Sequence, residues 1–218
     1  GERRALAVFD LDGTITRRDT LLPYVWGFLR YHPARAAALL RVLPALARYA
    51  LRRTDAGGLK SSLIRTTLGG CTRADIDAWT ARFVPRLMAH GLSGGALAAI
   101  TAHREAGDCL VLMSASVDLY VPAIGRALDF EQVLCTAVQW RGEHLDGALA
   151  GVNCRGAEKA RRLGQLRAQH PGVEIIAYGN AASDLGHLCL ADRGVLVNGA
   201  WRTRRAAAHL GIACLTWR

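Results

Sequence analysis

The chain has 218 residues, of which 51% are hydrophobic, so it is long enough to bury the core of one domain that carries a sizeable insertion. Its formal net charge of +10 favours an anionic partner, such as a phosphate ester, nucleic acid or an acidic membrane surface. No apolar run reaches the length of about eighteen residues that a transmembrane helix needs, and the first such run is too short for a secretory signal, so a cytoplasmic protein is predicted.

The cysteines are scattered through the chain without a C-x-x-C pair. Cys109, Cys135 and Cys189 lie within apolar runs, where thiols usually pack as small hydrophobic side chains. This pattern predicts reduced, structural cysteines and argues against a zinc site.

Short apolar runs alternate with helical patterns along the chain, and this alternation predicts an α/β fold with a Rossmann-like parallel sheet flanked by helices. The predicted strands are 5–11, 109–113, 173–178 and 194–197. The segment between the first two strands is far longer than the helix of one crossover requires. We therefore predict a catalytic core formed by residues 1–18 and 92–218 and an inserted helical bundle formed by residues 19–91.

The helices predicted within the insertion are 20–31, 33–53, 59–68 and 72–90. Pro44 is expected to bend or break the second helix, and Thr72 is the predicted N-cap of the fourth. The segment Leu92-Ser93-Gly94-Gly95 is predicted to be a hinge back into the core, since adjacent glycines leave the backbone free to turn. Residues 133–140 and 144–149 flank a short turn and predict a β-hairpin appended to the sheet.

The most informative motif is VFDLDGT at residues 8–14, a hydrophobic strand that ends in two acids one residue apart. In open parallel sheets, ligands bind just beyond the carboxyl ends of the strands, so Asp10 and Asp12 are expected to face that crevice. The alternative is a polar turn held by hydrogen bonds from the aspartate side chains to the backbone.

Three further segments place polar groups after other predicted elements. Ser114, Ala115 and Ser116 follow the second strand, where hydroxyls and backbone N–H groups near a helix N-terminus would favour an anion. Lys159 lies early in a helical stretch, and residues 177–184 (AYGNAASD) bring an amide and a carboxylate to the same edge. Each segment alone also fits a helix cap or a solvated side chain. Together with the first motif they predict one polar site at the rim of the sheet.

The motifs D-L-D-G-T, S-A-S, G-x-x-K and G-N-x-x-x-D, which run in this order from Asp10 to Asp184, resemble the four signature motifs of the haloacid dehalogenase superfamily. The insertion between the first two motifs resembles the helical cap of the phosphoserine-phosphatase-like branch. The resemblance implies a phosphatase, because the phosphatases of this superfamily carry an acid two residues beyond the nucleophile and its dehalogenases lack it.

The resemblance also implies a role for each site residue. Asp10 would be the nucleophile that forms an aspartyl phosphate, and Asp12 would act as general acid and then general base. Lys159 and residues of the first two motifs would hold the phosphoryl oxygens, namely Leu11, Asp12, Gly13, Thr14, Ser114, Ala115 and Ser116.

Magnesium is implied as the cofactor, since a carboxylate and a phosphate cannot approach closely without a hard cation between them. Its expected ligands are the carboxylate of Asp10, the backbone carbonyl of Asp12 and the side chain of Asn180, with Asp184 orienting a bound water. The family commonly has aspartate where this chain has Asn180. The loss of one negative charge predicts weaker magnesium binding.

The insertion is expected to select the substrate, with Thr20, Lys60 and Arg65 as candidates for contact with it. A small phosphorylated metabolite such as phosphoserine is the first hypothesis. A phosphorylated lipid head group is the second, because residues 33–53 are apolar and arginine-rich and could lie on an anionic membrane surface. This segment is also similar to the cap region of bacterial phosphatidylglycerophosphatases of the same superfamily. Alternatively, it forms a helical hairpin whose apolar faces make the core of the insertion.

A hypothesis from another class is a basic, non-catalytic protein that binds nucleic acid or phosphorylated ligands. Aromatic residues are only 6% of the chain, and no nucleic-acid-binding motif is present, so nucleic acid is the weaker of these partners. Asn180 would then mark a degraded metal site that binds phosphorylated ligands without turnover. The sequence indicates no oligomeric state.

Overall fold

The computed structural model describes residues 5–217, so residues 1–4 and 218 of the predicted core lie outside the described part of the chain. The strands, in chain order, are β1 (Ala5–Phe9), β2 (Cys109–Val117), β3 (Gln132–Thr136), β4 (Val138–Arg141), β5 (His144–Leu149), β6 (Glu174–Gly179), β7 (Arg193–Val197) and β8 (Ala213–Leu215). Six of them form one sheet in the order β3-β2-β1-β6-β7-β8, and every neighbouring pair is parallel. The predicted α/β fold is confirmed.

Helices cover this sheet and fill the long segment between its first two strands. They are α1 (Leu21–Tyr31), α2 (Leu43–Ala50), α3 (Ala56–Leu68), α4 (Arg73–His90), α5 (Gly94–Glu105), α6 (Val121–Ala127), α7 (Ala157–Gln169), α8 (Leu185–Leu190) and α9 (Trp201–His209). Short 3-10 helices cover Pro33–Val42 and Ala182–Asp184. Helices α1 to α4 are called the helical insertion below. Within the described residues, no helix is both long enough and apolar enough to span a bilayer.

The residues of β1 show why the sheet needs helices on both faces. All five are buried, and successive side chains of a strand point to opposite faces. Leu6 and Val8 pack in the apolar cluster that contains Leu163 of α7. Ala7 and Phe9 pack in the other cluster, which extends into the helical insertion through residues such as Trp79. The insertion therefore shares one continuous core with the sheet.

The predicted boundaries within the insertion are largely confirmed. Thr72 caps α4, because its Oγ1 accepts from the N–H of Asp75 at 3.2 Å while the Asp75 carboxylate accepts from the Thr72 N–H at 3.0 Å. The break near Pro44 is present, since the 3-10 helix ends at Val42 and α2 begins at Leu43. Helix α3 begins earlier than predicted, with Asp55 as its N-cap.

The predicted hairpin is placed differently. Residues 132–136 join the large sheet as β3, and only β4 and β5 form the hairpin, as a separate two-stranded sheet. This hairpin packs on the helical insertion: the N–H of Gly70 donates to the carbonyl of Leu145 at 2.8 Å, and the N–H of Leu145 donates to the carbonyl of Cys71 at 2.9 Å. The prediction that it extends the main sheet was wrong, because its edge pairs with the loop between α3 and α4.

Two smaller expectations also need correction. Gly94 and Gly95 are not a free hinge but the first turn of α5, which Ser93 caps; Trp217 packs where a side chain on Gly95 would stand.

Cys109 is buried as expected, but Cys189 is exposed at the surface of α8. Strand β8 was not predicted, since its three residues are too few to show a pattern.

Candidate active site

The polar motifs of the sequence meet at the carboxyl end of the sheet. Strand β1 lies between β2 and β6, so Asp10 and Asn180, which directly follow β1 and β6, are neighbours. The backbone N–H of Asp10 donates to the carbonyl oxygen of Tyr178 at 3.0 Å. Ala115 and Ser116 lie in the last part of β2. The structure therefore brings the first, second and fourth motifs to one edge, where ligands of parallel sheets usually bind.

Asp10 is buried at the end of β1, with 6% of its surface exposed. Its Oδ1 accepts a hydrogen bond from Lys159 Nζ at 2.6 Å, and its Oδ2 accepts one from Thr14 Oγ1 at 3.1 Å. Burial raises the pKa of Asp10 above its ordinary value; the Lys159 ammonium opposes that rise and the Asp184 carboxylate adds to it. A further positive charge beside Asp10 would favour its ionised form.

Lys159 joins the third motif to the first and fourth. It lies in the first turn of α7, and its Nζ donates to Oδ1 of Asp10 and, at 2.8 Å, to Oδ1 of Asp184. Burial lowers the pKa of this ammonium, but the two carboxylates outweigh burial and hold the pKa above its ordinary value. Lys159 is therefore a fixed cation at the site.

Asp184 is held by the loop that follows β6. Its Oδ2 accepts from the backbone N–H groups of Asn180 at 3.1 Å and Ala181 at 3.0 Å. Burial raises the pKa of Asp184, but the charge and hydrogen bond of Lys159, together with these contacts, hold the pKa below its ordinary value. Asp184 is thus an ionised carboxylate in a fixed orientation.

Asp12 is held by hydroxyl groups instead of by a cation. Its Oδ1 accepts from the backbone N–H and from Oγ1 of Thr20, both at 2.7 Å, and its Oδ2 accepts from Ser116 Oγ at 2.6 Å. Burial raises the pKa of Asp12, although the hydrogen bonds from Ser116 and Thr20 oppose the rise. The two acids of the first motif therefore differ in environment, and Asp12 lacks the lysine that faces Asp10.

The second motif lies within β2, which continues to Val117. Helix α6 begins only at Val121, so the expected helix N-terminus directly after this motif is absent. Ser114 is fully buried, and its Oγ accepts from the backbone N–H of Ser116 at 3.0 Å. Ala115 and Ser116 line the cavity beside Asp10. A direct contact of Ser114 with phosphate therefore stays a prediction.

The rest of the first motif shapes a tight loop. The carbonyl of Leu11, whose side chain is fully buried, accepts from the backbone N–H of Thr14 at 3.2 Å. Gly13 has a φ of 78°, and a Cβ at this position would collide with the side-chain amide of Asn180. Both the backbone conformation and the space beside Asn180 require a glycine here.

Two of the three candidates from the insertion reach the site. Thr20 binds Asp12 as described, and Lys60 of α3 lines the cavity, where its Nζ donates to the carbonyl of Ala115 and to Asn153 Oδ1. Burial lowers the pKa of Lys60 to about 8. Arg65 is not part of the site: it points to the hairpin, where it donates to Asp146 Oδ2 at 2.7 Å, and its side chain is 57% exposed.

The cavity around Asp10 has a volume of about 450 Å³. Several residues of its wall were not identified from the sequence, namely Arg17, Arg18, Asp19, Leu21, Arg155, Ala181 and Ser183. Arg17 and Arg18 follow the first motif closely in the chain, and this proximity was the available signal. The sequence contained no such signal for Arg155, which lines the cavity, or for Tyr120, because only the fold brings them to the site. The hydroxyl of Tyr120 lies 2.9 Å from Thr20 Oγ1.

The family model for haloacid dehalogenase-like hydrolases matches residues 7–188, which contain all four motifs. The chain belongs to this family. Protein CicA of Caulobacter vibrioides (strain NA1000 / CB15N) is 33% identical to this hydrolase over 199 residues, which cover 88% of the chain and 85% of CicA.

Solved structures share the fold of this haloacid dehalogenase-like hydrolase. A protein of unknown function from Bordetella pertussis Tohama I matches with a TM-score of 0.82 at 23% identity, and the match covers 98% of this chain and 98% of that chain. A phosphoserine phosphatase, solved as an analogue of its phospho-aspartyl intermediate, has a TM-score of 0.68 at 14% identity, with 99% of this chain and 94% of that chain covered. The chain therefore shares its fold with a phosphoserine phosphatase.

The oxygen donors at the site of this hydrolase fit a magnesium ion. Asp10 and Asp184 are buried carboxylates that share one ammonium, and a divalent cation would offset the remaining negative charge. Asn180 adds an amide oxygen, a ligand that magnesium also accepts. Among residues 5–217, no three His, Cys, Asp or Glu side chains gather to hold a metal.

Proposed function

We propose that this hydrolase is a magnesium-dependent phosphatase that cleaves phosphomonoesters through an aspartyl phosphate on Asp10. The observation that carries the proposal is the ammonium of Lys159, which contacts the carboxylates of Asp10 and Asp184 at one cavity. A carboxylate beside a fixed cation suits attack on a phosphoryl group, whose oxygens carry the charge that must be stabilised.

In the first step, a carboxylate oxygen of Asp10 forms a bond to phosphorus and the bond from phosphorus to the ester oxygen breaks. Asp12 gives its proton to the departing oxygen. The raised pKa of Asp12, which is due to burial, supports the protonated form that this step needs. Asp10, the backbone carbonyl of Asp12 and the side chain of Asn180 would hold magnesium, with Asp184 orienting a bound water, and the ion would supply positive charge that offsets the negative charge of the nucleophile and the phosphate.

In the second step, Asp12 is ionised and removes a proton from a water molecule. The water oxygen forms a bond to phosphorus, the bond to Asp10 breaks, and inorganic phosphate leaves. Asp12 is protonated again and Asp10 is again a carboxylate, so the cycle closes without another proton donor. Lys159 holds its position through both steps, since its contact to Asp184 does not involve the reacting atoms.

We also propose that residues 19–91 act as a cap that limits the substrate to a small phosphorylated metabolite such as phosphoserine. The cavity of about 450 Å³ lies in the range of small-molecule sites. Lys60 of the insertion lines it and contacts Ala115, one of the residues that would hold the phosphoryl group. The solved phosphoserine phosphatases share this fold, which supports a substrate of that class.

A phosphorylated lipid head group is the second candidate substrate. It is favoured by the exposure of leucines on α2, such as Leu43 at 57%, which the first candidate does not explain. A screen of phosphate release should therefore include phosphoamino acids, sugar phosphates, nucleotides and lipid phosphates, each with and without magnesium.

The matched control for this screen is Asp10→Asn, which keeps the size of the side chain and removes the nucleophile. We expect magnesium-dependent release by the natural protein, none by Asp10→Asn, and a circular dichroism spectrum common to both. If the natural protein releases no phosphate from any class of substrate, the phosphatase proposal is wrong, and the alternative of a protein that binds phosphorylated ligands without turnover takes its place.

A further inference from the structure

The segment that joins the first 3-10 helix, α2 and the following loop exposes large apolar side chains. We call residues 40–53 the 40–53 surface. Its exposed apolar residues are Leu40 (69%), Leu43 (57%), Leu46 (46%), Tyr49 (44%) and Leu51 (65%). Within α2, Ala45 is half-buried and every other residue is exposed. Soluble proteins seldom leave such a contiguous apolar stretch uncovered unless it binds something.

Packing inside the insertion does not account for this exposure. The hypothesis of a helical hairpin with a buried apolar face holds for Val42, which is 4% exposed, and for the half-buried Leu39, which packs against the core, but not for the exposed leucines of the 40–53 surface. Helix α2 contacts α3 and the 3-10 helix, yet those contacts leave its side chains in solvent.

The same surface is strongly and uniformly basic. Between Thr20 and Thr54 the chain contains six arginines and no acidic residue. The 40–53 surface contains four arginines, namely Arg41, Arg48, Arg52 and Arg53. None of them forms an ion pair with any residue of the described range 5–217. Arginines elsewhere are often paired, for example with Asp146, Glu158 and Glu174.

We infer that the 40–53 surface binds the surface of a bilayer that contains anionic phospholipids. Leucines would enter the boundary between head groups and acyl chains, and the arginines would contact phosphate groups. Helix α1, which contacts the 3-10 helix, adds Leu22 (62% exposed) and Trp26 (58% exposed), and tryptophan favours the same boundary. Leu21 of the same helix lines the catalytic cavity, so this contact would lie close to the active site.

The test is co-sedimentation of the full chain with vesicles of phosphatidylcholine alone and with vesicles in which phosphatidylglycerol replaces part of it. We expect binding to the second kind only, and weaker binding as salt increases. Because this inference does not depend on turnover, Asp10→Asn should bind as the natural protein does. A lack of sedimentation with phosphatidylglycerol vesicles at low salt would overturn the inference.

Matched variants separate this surface from net charge. The triple change Arg48→Gln, Arg52→Gln and Arg53→Gln should weaken binding by about fivefold for each arginine. Its control is Arg202→Gln, Arg204→Gln and Arg205→Gln in α9, which removes the same charge from another exposed helix and should leave binding close to natural. Equal losses in the two variants would show that only the overall charge matters, and the proposed site would be wrong.

The apolar part is tested in the same way. Leu43→Ser with Leu46→Ser should abolish sedimentation, whereas Leu190→Ser with Leu210→Ser, which changes leucines of similar exposure elsewhere, should not. Phosphate release without vesicles and the circular dichroism spectrum show that each variant is folded. If the first pair binds like the natural protein, the leucines do not enter the bilayer, and the proposed mode of binding is wrong.

Discussion

The backbone N–H and Oγ1 of Thr20 both donate to Oδ1 of Asp12, at 2.7 Å each. Asp12 lies just beyond β1, whereas Thr20 immediately precedes α1, so this pair joins the first motif to the start of the insertion. Tyr120 OH lies 2.9 Å from Thr20 Oγ1 and must be the donor, because the hydroxyl hydrogen of Thr20 is directed to Asp12. The orientation of Asp12 depends on this chain of hydroxyl groups.

Thr20→Val should lower kcat by about tenfold to a hundredfold, because it removes one hydrogen bond that orients Asp12, with a contribution of roughly 1.5–3 kcal/mol when Asp12 is ionised for the second step. The change conserves volume and keeps the backbone hydrogen bond. Initial rates of phosphate release at saturating substrate measure it. Thr20→Ser, which retains the hydroxyl, should stay within a few-fold of the natural rate. Natural activity in the valine variant would show that Asp12 does not need this contact.

Lys159→Met should abolish activity and lower the free energy of unfolding by about 3–5 kcal/mol, because it leaves two buried carboxylates without their cation. Urea denaturation at pH 7 measures the stability. Part of this loss should return in the double variant with Asp184→Asn, which removes one of the two charges. A Lys159→Met protein as stable as the natural one would mean that the carboxylates take up protons instead.

Asn180→Asp should tighten magnesium binding by about tenfold, since it adds a negative charge to the ligand set. The rise of the melting temperature with magnesium concentration measures the affinity without recourse to activity. In the absence of magnesium the same change should lower the melting temperature, because a third carboxylate then lies near Asp10 and Asp184. Equal magnesium dependence in both proteins would contradict the proposed ligand.

Glu158 is expected to stabilise the fold in a pH-dependent way. Its carboxylate accepts from Arg161 and Arg162, and these contacts, the hydrogen bonds from Arg161 first, lower its pKa from 4.5 to about 2. Because the pKa of Glu158 is lower in the folded state, the ionised carboxylate stabilises the fold at pH values above its unfolded-state pKa of 4.5. This stabilisation is lost as the pH falls from about 4.5 towards 2. Glu158→Gln should therefore lower the free energy of unfolding by about 1 kcal/mol at pH 7.

That difference should shrink as urea denaturation is repeated at pH values between 5 and 2. Glu174→Gln is the control, because the ion pair of Glu174 with Arg193 is exposed on both sides and should contribute little at any pH. A deficit in Glu158→Gln that does not change with pH would assign the effect to packing.

The sequence predicted the sheet and the convergence of the motifs because strands with buried faces, such as β1, leave a strong local pattern. Asp10 and Asp184 could be assigned to one site because the carboxyl ends of parallel strands meet at a single edge, whereas Lys159 was assigned to it through the resemblance of its motif to that of the family. What the local pattern could not provide was the orientation of individual side chains. Ser114 is fully buried while Ser116 reaches Asp12, although residues two apart in a regular strand share a face. The pairing of β2 with β3 is irregular between Met113 and Val117, and nothing in the sequence indicated that irregularity.

Contacts between segments distant in the chain were the other limit. Arg65 carries a charge and lies in the insertion, so the sequence made it a candidate, but its partner Asp146 belongs to a hairpin that could not be positioned in advance. Arg155 lines the cavity and had no local signal. In each case the deciding interaction joins residues whose separation along the chain hides it from any periodicity.

The pairing of the hairpin with the insertion changes where the chain can be divided. The backbone bonds between Leu145 and the Gly70–Cys71 loop, together with the bond from Leu149 N–H to Ser61 Oγ at 3.0 Å, attach β5 to helices that precede it by many residues. Excision of residues 19–91 alone would uncover Leu145, which is 2% exposed in the whole chain. A separable unit, for crystallisation in isolation or for exchange between relatives, would have to carry β4 and β5 along with the four helices.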